Sequence, residues 1–498
     1  MKNDQDSPSG VIYEGLPCIA EDSKYLIYSP YAWRVAEIDK RDISDIQIKE
    51  KLNDLGFFGK PFKPGDATGI AKLTLVMTNE CNLQCQYCYM FGGENLKQNL
   101  PLDIAISAIK ECVSQRNLSQ IRISFFGGEP TLAFDKIKKV VEFAKGLGIA
   151  YSFHISSNGI ISDDVLRYIE KENFNIGISM DGPPSLNDQS RPAKDGSSKS
   201  QIIENTIKEL AKKKANYLIR ATVTSLNVKD MADSVEYWSK LGADKIHFEI
   251  LNISGRAIVN GLRPPTISEY IKNFKYALDR AEELGVYIIS SPFMNLLTPS
   301  TYYCSPCSGE SDVITNDGFL SKCYEVQSHH HRNKFLIVGK YDKRTKKFAP
   351  DKRKINYLSR ISVEALKKCK NCFARYLCGG GCPLRNLNST GSVFEADPFS
   401  CDIRKELIRE AILRLKRSAS INRVSPVLGL NIYENTMPYD EKTKNRTVSK
   451  NKNRIKKVKS PNGKTFNIYE IPIPDEAQAA SRKRNRIYRI KDRCESVF

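Results

Sequence analysis

Eleven of the fourteen cysteines in this chain of 498 residues lie in three groups. The groups are Cys81, Cys85 and Cys88, then Cys304, Cys307 and Cys323, then Cys369, Cys372, Cys378, Cys382 and Cys401. Closely spaced thiolates bind zinc or an iron–sulfur cluster, and a cluster usually takes four of them. The first group has three cysteines and no obvious fourth, which leaves one metal position open, as a catalytic centre requires. The other eight can fill two closed sites.

The composition limits where such chemistry can take place. Hydrophobic residues make up 41 % of the chain, which is too many for a disordered protein. No apolar run approaches the ~20 residues of a membrane-spanning helix, and the polar N-terminus MKNDQDSPSG has no apolar signal segment. We therefore expect a cytoplasmic protein, in which grouped cysteines favour metal or redox chemistry over disulfides.

The elements that would position the first cysteine group alternate between strand and helix from residue 71 onward. Six apolar segments predict strands, each followed by a helical pattern: KLTLVMT, IRISFF, YSFHIS, NIGISM, YLIRATVT and DKIHFEIL. Such alternation indicates a parallel sheet with outer helices, either as an open partial barrel or as a doubly wound sheet. In both architectures the site forms at the carboxyl ends of the strands.

Unusual turns follow the first four of these strands. CNLQCQYC comes after the first, GGEP (127–130) after the second, SSNG (156–159) after the third and SMDGP (179–183) after the fourth. Because parallel strands end at the same edge of a sheet, we expect these turns to converge on one face. Arg220, within the fifth strand, either points into the barrel or forms a structural ion pair.

The two ends of the chain give weaker patterns. Near the N-terminus we predict two short strands with a turn at Ser29-Pro30, then a helix with Asp42 or Ser44 as its N-cap. Residues 301–404 have little periodicity, so bound metal would hold them together. A helix is predicted over 405–417. From residue 406 onward the chain has 22 Lys plus Arg and 10 Asp plus Glu, and this excess is a large share of the net charge of +20. The pattern predicts that this tail is a solvated extension.

The spacing Cys-x3-Cys-x2-Cys in the loop after the first strand, followed by FFGGEP, Asn158-Gly159 and SMDGP, resembles the radical S-adenosylmethionine (SAM) enzymes. The later cysteines resemble the SPASM auxiliary-cluster domain. The resemblance implies an α/β fold, a partial (β/α)6 TIM-like radical SAM barrel with a Cys-rich SPASM domain and small N- and C-terminal extensions. The expected domains are 1–68, 69–300, 301–405 and 406–498.

The resemblance also implies the cofactors, three [4Fe-4S] clusters and SAM. Cys81, Cys85 and Cys88 would hold the cluster with an open iron, which SAM chelates. By similarity to the anaerobic sulfatase-maturing enzymes, auxiliary cluster I would take Cys304, Cys307, Cys323 and Cys382. Auxiliary cluster II would take Cys369, Cys372, Cys378 and Cys401. Spacing alone would instead pair neighbouring cysteines.

The same resemblance implies which residues contact SAM. They are Tyr87 and Leu251 at the adenine, Gly127, Gly128 and Glu129 at the methionine moiety, and Ser179 and Arg191 at the carboxylate and ribose. Structural interpretations stay open at this stage: a tight turn for the glycines, a helix cap for Ser179 and Asp181, a surface loop for Arg191 and ordinary packing for Tyr87.

SPASM-bearing members mostly modify peptides or proteins, so the main hypothesis is a radical SAM maturase of a ribosomally made precursor peptide. The product would be a cross-link, an oxidation, an epimerisation or an excision. A flavodoxin or ferredoxin would supply electrons, and neither membrane nor nucleic acid is an expected partner. Sulfatase maturation is an alternative, although Tyr324 follows Cys323 where those enzymes carry Asp. A zinc-ribbon nucleic-acid-binding protein is the non-enzyme alternative. The N-terminal region is either a leader-peptide recognition module or a structural cap.

Overall fold

The structure is a computed structural model. It describes residues 10–61, 63, 70–94, 97–114, 118, 120–304, 309, 311–327, 331–421, 423–428 and 454–473. These residues form two compact units. The terminal unit comprises the described residues within 1–63, 287–303 and 362–498, and the barrel unit comprises those within 64–286 and 304–361. Among the described residues, no helix combines the length and apolar character needed to cross a membrane.

The strands of the described chain are short and mostly extend over three to nine residues. They are β1 (Val11–Tyr13), β2 (Leu16–Glu21), β3 (Lys24–Ser29), β4 (Arg34–Asp39), β5 (Ile70–Thr78), β6 (Gln120–Gly127), β7 (Ala150–Ser157), β8 (Asn175–Ser179), β9 (Tyr217–Val223), β10 (Lys245–Ile250), β11 (Tyr287–Ile289), β12 (Ser311–Ile314), β13 (Phe319–Ser321), β14 (Ile337–Asp342), β15 (Lys347–Pro350), β16 (Ile455–Lys459) and β17 (Thr465–Glu470).

The α-helices of the described chain range from single turns to a helix of 24 residues. They are α1 (Ile46–Asp54), α2 (Leu102–Ser114), α3 (Phe134–Lys145), α4 (Asp163–Lys171), α5 (Pro184–Ser190), α6 (Ser200–Lys212), α7 (Met231–Lys240), α8 (Arg256–Val259), α9 (Ile267–Leu284), α10 (Lys352–Leu358), α11 (Arg375–Cys378), α12 (Pro383–Thr390) and α13 (Pro398–Ile421).

The barrel unit is built on the parallel sheet that the sequence predicts. Strands β5 to β10 pair in parallel, and each strand from β6 to β10 stands beside the strand that precedes it in the chain. Strand β12 pairs in parallel with the other side of β5, and β13 to β15 continue the sheet with antiparallel pairs. Because the strand order from β5 to β10 never reverses, the sheet is wound in one direction, as in a barrel, and is not doubly wound.

The two faces of this sheet differ in chemistry. In β10, Ile246, Phe248 and Ile250 are buried, and the Phe248 ring contacts Trp238 of α7 and Phe274 of α9. The residues between them, His247 and Glu249, lie on the opposite face and are partly exposed. This strict alternation places the hydrophobic core between sheet and helices and leaves a polar inner face. Such a face can hold a substrate, whereas a closed barrel fills it with apolar side chains.

The terminal unit contains a six-stranded sheet in the order β1-β2-β3-β4-β17-β16. Strands β3 and β4 are the predicted pair, whereas β1 and β2 were missed by the sequence patterns. Helix α1 packs on this sheet through Ile48 and Leu52. The helix begins at Ile46, and its N-cap is Asp45, whose carboxylate accepts a hydrogen bond from the Gln47 backbone N–H. The predicted N-cap, Asp42 or Ser44, is therefore wrong.

Part of the basic tail belongs to the same sheet. Strand β17 pairs antiparallel with β4, and Phe466 and Ile468 are buried in the core beneath the N-terminal strands. Lys464 forms ion pairs with Asp42 and Asp45 at 2.9 and 2.8 Å. The sequence assigned 406–498 to a separate solvated extension, and for 454–473 this interpretation is wrong, because the alternating apolar residues of β17 pack in the core. Residues 429–453 and 474–498 lie outside the described residues.

Candidate active site

The first cysteine group lies in the loop that directly follows β5, at the carboxyl end of the parallel sheet. Backbone N–H groups donate to two of the thiols, Leu83 to Cys81 Sγ and Gly92 to Cys88 Sγ, both at 3.5 Å. Burial raises the pKa of Cys81 and raises that of Cys85 to about 12. Binding of a metal by these two buried thiols would therefore release their protons. Backbone donors to sulfur are among the features that set the properties of iron–sulfur clusters.

Arg256, the first residue of α8, holds this loop in place. Its backbone N–H donates to the Cys88 carbonyl at 3.0 Å, and its guanidinium donates to the carbonyls of Cys85 at 3.1 Å and Gly92 at 2.7 Å. The same guanidinium forms an ion pair with Glu94, and the residue is buried. Arg256 lies outside the motifs that the sequence singles out. Its position shortly after the sixth barrel strand could have marked it as a candidate site residue, because site residues collect at the carboxyl ends of barrel strands.

Glu129 is fully buried at the end of β6 and is surrounded by hydrogen-bond donors. One carboxylate oxygen accepts from Thr131 and Ser157, and the other accepts from the Asn158 backbone N–H at 2.7 Å. Burial raises the pKa of this carboxyl group, and the hydrogen bonds oppose the rise. Glu129 thus joins the turn after β6 to the turn after β7, and Asn158 Nδ2 in turn lies 3.9 Å from Cys81 Sγ.

The two glycines before Glu129 are required by backbone packing. A Cβ atom at Gly127 would lie 2.3 Å from the Thr78 carbonyl oxygen, and one at Gly128 would lie 2.2 Å from that of Glu80. Gly127 also has a φ of +146°. The loop that carries the cysteines therefore approaches this turn so closely that no side chain fits between them. The predicted contact of these glycines with SAM stays a prediction.

Tyr87, Asp181 and Arg191 form one network beside the cysteines. The Tyr87 hydroxyl donates to Asp181 Oδ2 at 2.5 Å and accepts from Arg191 Nη1 at 2.6 Å. Asp181 also accepts from the Thr222 backbone N–H at 2.9 Å. Burial raises the pKa of Asp181, and the Arg191 charge opposes the rise. Asp181 accordingly orients Tyr87 and is not the simple helix cap that the sequence left open.

The remaining predicted SAM contacts lie in the same region. Leu251 is buried after β10 and packs with Ala257, Leu262 and Tyr87, so the structure brings together the two predicted adenine contacts. Ser179 is the last residue of β8 and is partly buried. Six of the seven predicted SAM residues thus stand at the carboxyl ends of the barrel strands or in the loops that follow them, and Arg191 comes directly after α5, the short helix that follows β8.

Arg191 supplies the observation that tests whether SAM fits here. The residue is nearly buried, and within the described chain its Nε has no hydrogen-bond partner. A buried guanidinium nitrogen without an acceptor is costly, and a carboxylate is the acceptor that its planar fork suits best. The methionine carboxylate of SAM is such a group. The donor set is therefore compatible with SAM.

Four later cysteines lie together in the terminal unit. Cys369 interacts electrostatically with Cys372, Cys378 and Cys401, and burial raises its pKa to about 12. These are the four residues expected for auxiliary cluster II. Of the other set, Cys307 lies outside the described residues, Cys304 and Cys323 belong to the barrel unit and Cys382 to the terminal unit. That set stays a prediction.

The described cysteines show no covalent pairing. All twelve are free thiols. Within the described residues, no three of the types His, Cys, Asp and Glu are arranged to hold a single metal ion.

Comparisons with known proteins agree on the family. Residues 75–237 match the model of the radical SAM superfamily. The radical SAM cyclopropyl synthase TigE of Paramaledivibacter caminithermalis is 25 % identical over 379 residues, which cover 70 % of this chain and 75 % of TigE. A serine-type anaerobic sulfatase-maturating enzyme of Klebsiella aerogenes is 25 % identical over 328 residues, 63 % of this chain and 79 % of the enzyme.

The fold has a solved counterpart. The structure of anSMEcpe with bound AdoMet and Cp18Cys peptide superposes with a TM-score of 0.58 at 19 % identity, over 71 % of this chain and all of the other. The expected partial barrel is thereby confirmed. The enzyme relatives stand against the zinc-ribbon alternative. The chain therefore carries a radical SAM domain over residues 75–237, and this domain implies a [4Fe-4S] cluster and S-adenosylmethionine.

Proposed function

We propose that this enzyme modifies a residue of a ribosomally made precursor peptide, with its radical-generating cluster on Cys81, Cys85 and Cys88. The observation that carries the proposal is the cysteine loop after β5, which lies beside the buried and incompletely paired guanidinium of Arg191. Three thiolates leave one iron open, and Arg191 offers a partner for the carboxylate of SAM.

A [4Fe-4S] cluster held by Cys81, Cys85 and Cys88, together with SAM, would supply the one-electron chemistry for removing a hydrogen atom from the substrate. The protein contributes orientation. Asp181 accepts the hydrogen bond of Tyr87 and so fixes both the phenol ring and, through the phenol oxygen, Arg191. Leu251 with its apolar neighbours excludes water from the adenine side of the site.

Relatives support a peptide or protein as the substrate. TigE is named a cyclopropyl synthase, the Klebsiella enzyme matures sulfatases, and the solved anSMEcpe holds a peptide. Sulfatase maturation is the second candidate. Against it stands the sequence at the end of β13, where Tyr324 follows Cys323 and the nearest carboxylate is Glu325. Glu325 accepts hydrogen bonds from Asn252 at 2.6 Å and Ser254 at 3.3 Å.

The terminal unit is the proposed docking site of the precursor's leader. Within the described chain, β1 has one strand neighbour and stands at an edge of the sheet, where a peptide strand can add. A cavity of about 330 Å³ is lined by Ile12 of β1 and by Pro17, Tyr31, Phe373 and Tyr376, together with the polar or charged Lys370, Asn371 and Arg375. Apolar and aromatic walls of this kind suit apolar leader side chains.

Two auxiliary [4Fe-4S] clusters complete the proposal. Cys369, Cys372, Cys378 and Cys401 are assigned to one and Cys304, Cys307, Cys323 and Cys382 to the other. The reductant is a flavodoxin or ferredoxin, and the reducing cytoplasm is the compartment that such clusters require.

The test is anaerobic turnover of the reconstituted enzyme with SAM, a reductant and the small peptide encoded beside it. We expect 5'-deoxyadenosine together with a mass change in the peptide. The matched controls are Cys85→Ser, which removes a proposed ligand, and Cys112→Ser, which changes a buried cysteine of α2 outside the three groups. An unchanged peptide mass while 5'-deoxyadenosine forms would overturn the choice of substrate. Full activity of Cys85→Ser would overturn the cluster assignment.

A further inference from the structure

Arg220 is a cation on the polar inner face of the barrel sheet, and it is none of the proposed ligands of the cluster or of SAM. It lies in the middle of β9, where Ile219 and Ala221 are buried and Arg220 itself is exposed. Its register partners are His247 of β10 and Ser179 of β8. Because Phe248 pairs with Ala221 and contacts the helices, Arg220 and His247 share the opposite, inner face.

The surroundings of Arg220 leave room for a ligand. Gly177 lies beneath its stem, since a Cβ there would come within 3.1 Å of Arg220 Cδ. The guanidinium has one long hydrogen bond, from Nη1 to Ser156 Oγ at 3.5 Å, and no carboxylate of the described chain forms an ion pair with it. The nearby Glu249 carboxylate lies 3.6 Å from Nε2 of His247, and burial lowers the pKa of that imidazole. The structural ion pair that the sequence allowed is therefore not what this residue makes.

Arg220 lies close to the end of the sheet that carries the cysteine loop. Ser179, its register partner, ends β8 at the edge where the cysteine loop lies, and Tyr89, one residue after Cys88, interacts electrostatically with Arg220. A group bound to this guanidinium would thus lie on the inner face, below the proposed SAM site. Arginine suits a carboxylate in particular, because its fork donates two parallel hydrogen bonds to the two oxygens.

We propose that Arg220 binds a carboxylate of the substrate and so selects a peptide with an acidic group close to the residue that is modified. The inference rests on the proposed peptide-modifying function and names the chemistry that the site recognises. The carboxylate is either an Asp or Glu side chain or the C-terminus of the peptide. Arg220 acts here as a specificity residue that contacts the substrate.

The probes are three N-acetylated pentapeptides of alanine. The first carries a central glutamate and an amidated C-terminus, the second a central glutamine and an amide, and the third a central glutamine and a free C-terminal carboxylate. Binding to the reconstituted, SAM-loaded holoenzyme is followed by proton NMR. The resonances of a small peptide broaden when it binds a protein of this size, and the broadening over a titration gives the Kd.

We expect one of the two carboxylate peptides to bind about tenfold more tightly than the neutral one, as a charge-assisted pair allows. Arg220→Gln should reduce the difference to within about twofold, while Arg220→Lys, which keeps the charge and loses the fork, should retain part of it. The matched control is Arg167→Gln, which removes an exposed arginine from the outer helix α4. Whichever peptide is preferred assigns the source of the carboxylate.

Three outcomes would overturn the proposal: no discrimination by the wild type, undiminished discrimination by Arg220→Gln, or equal losses in Arg220→Gln and Arg167→Gln. If Arg220→Gln instead weakens SAM binding and leaves the peptides equal, the residue belongs to the cofactor site and the proposal is wrong. Formation of 5'-deoxyadenosine by the wild type separates these results from a failure of the proposed function. Iron content and circular dichroism verify that each variant is folded.

Discussion

Replacing Arg256 should loosen the cysteine loop more than any other single change outside the cysteines. Its guanidinium satisfies the carbonyls of Cys85 and Gly92 and pairs with Glu94. In Arg256→Met both buried carbonyls lose this hydrogen-bond donor, and each loss lowers the free energy of unfolding by roughly 1–3 kcal/mol. The Glu94 side chain is 43 % exposed, so that ion pair adds little. A total near 3 kcal/mol corresponds to a fall in Tm of roughly 6–12 °C for a unit of this size.

Two measurements under anaerobic conditions check this expectation. Differential scanning calorimetry of the metal-free protein gives the fall in Tm, and iron analysis after reconstitution gives the occupancy of the loop. Arg256→Lys keeps the charge and one donor and should lose less. Arg414→Met, a buried arginine paired with Glu410 in α13, should lower stability without selective loss of the SAM-binding cluster. An Arg256→Met protein with unchanged Tm and full iron content would refute the reasoning.

Three further predictions follow from single contacts. Tyr87→Phe removes the hydroxyl between Asp181 and Arg191 and should raise the Kd for SAM about fivefold to fifteenfold, since one hydrogen bond contributes roughly 1–1.5 kcal/mol. Calorimetric titration measures the Kd; the control Tyr168→Phe should change it little, and an unchanged Kd in Tyr87→Phe would contradict the proposed network. Gly127→Ala should unfold at a clearly lower temperature than Gly148→Ala, because both glycines have a positive φ but only the Cβ at position 127 would clash with backbone atoms. Equal Tm values for the two variants would show that the close approach of Thr78 to Gly127 does not matter for stability. Burial raises the pKa of Cys18 to about 12, so the buried thiol stabilises the fold fully below the unfolded pKa near 9 and progressively less as the pH rises toward 12. The difference in the free energy of unfolding between wild type and Cys18→Ala should therefore shrink between pH 9 and pH 12, and a difference that grows would be inconsistent with this reasoning.

The barrel was predictable because its signals are local and repeated. Each of β5 to β10 is an apolar run followed by a helical pattern, and each unusual turn falls at a strand end. The winding direction needed the structure, since the same alternation serves barrels and doubly wound sheets. The positions of the predicted SAM residues also followed, because carboxyl ends of parallel strands share one edge.

Long-range partners were not predictable. Nothing in IKKVK or TFNIYE indicates that β17 pairs with β4, more than 400 residues earlier in the chain. Arg256 and Asp181 are equally hidden, because an isolated Arg or Asp has many structural uses. Gly127 and Gly128 were assigned to a ligand from the motif, whereas the structure shows the backbone of Thr78 and Glu80 in the space that a side chain would fill.

The central claim is that the radical-generating cluster sits on Cys81, Cys85 and Cys88. Electron paramagnetic resonance of the dithionite-reduced enzyme tests it most directly. We predict that SAM changes the spectrum of the wild type and of Cys112→Ser. The variant with all three cysteines replaced by alanine should keep the signals of other clusters but show no response to SAM. A SAM-dependent change that persists in the triple variant would contradict the account.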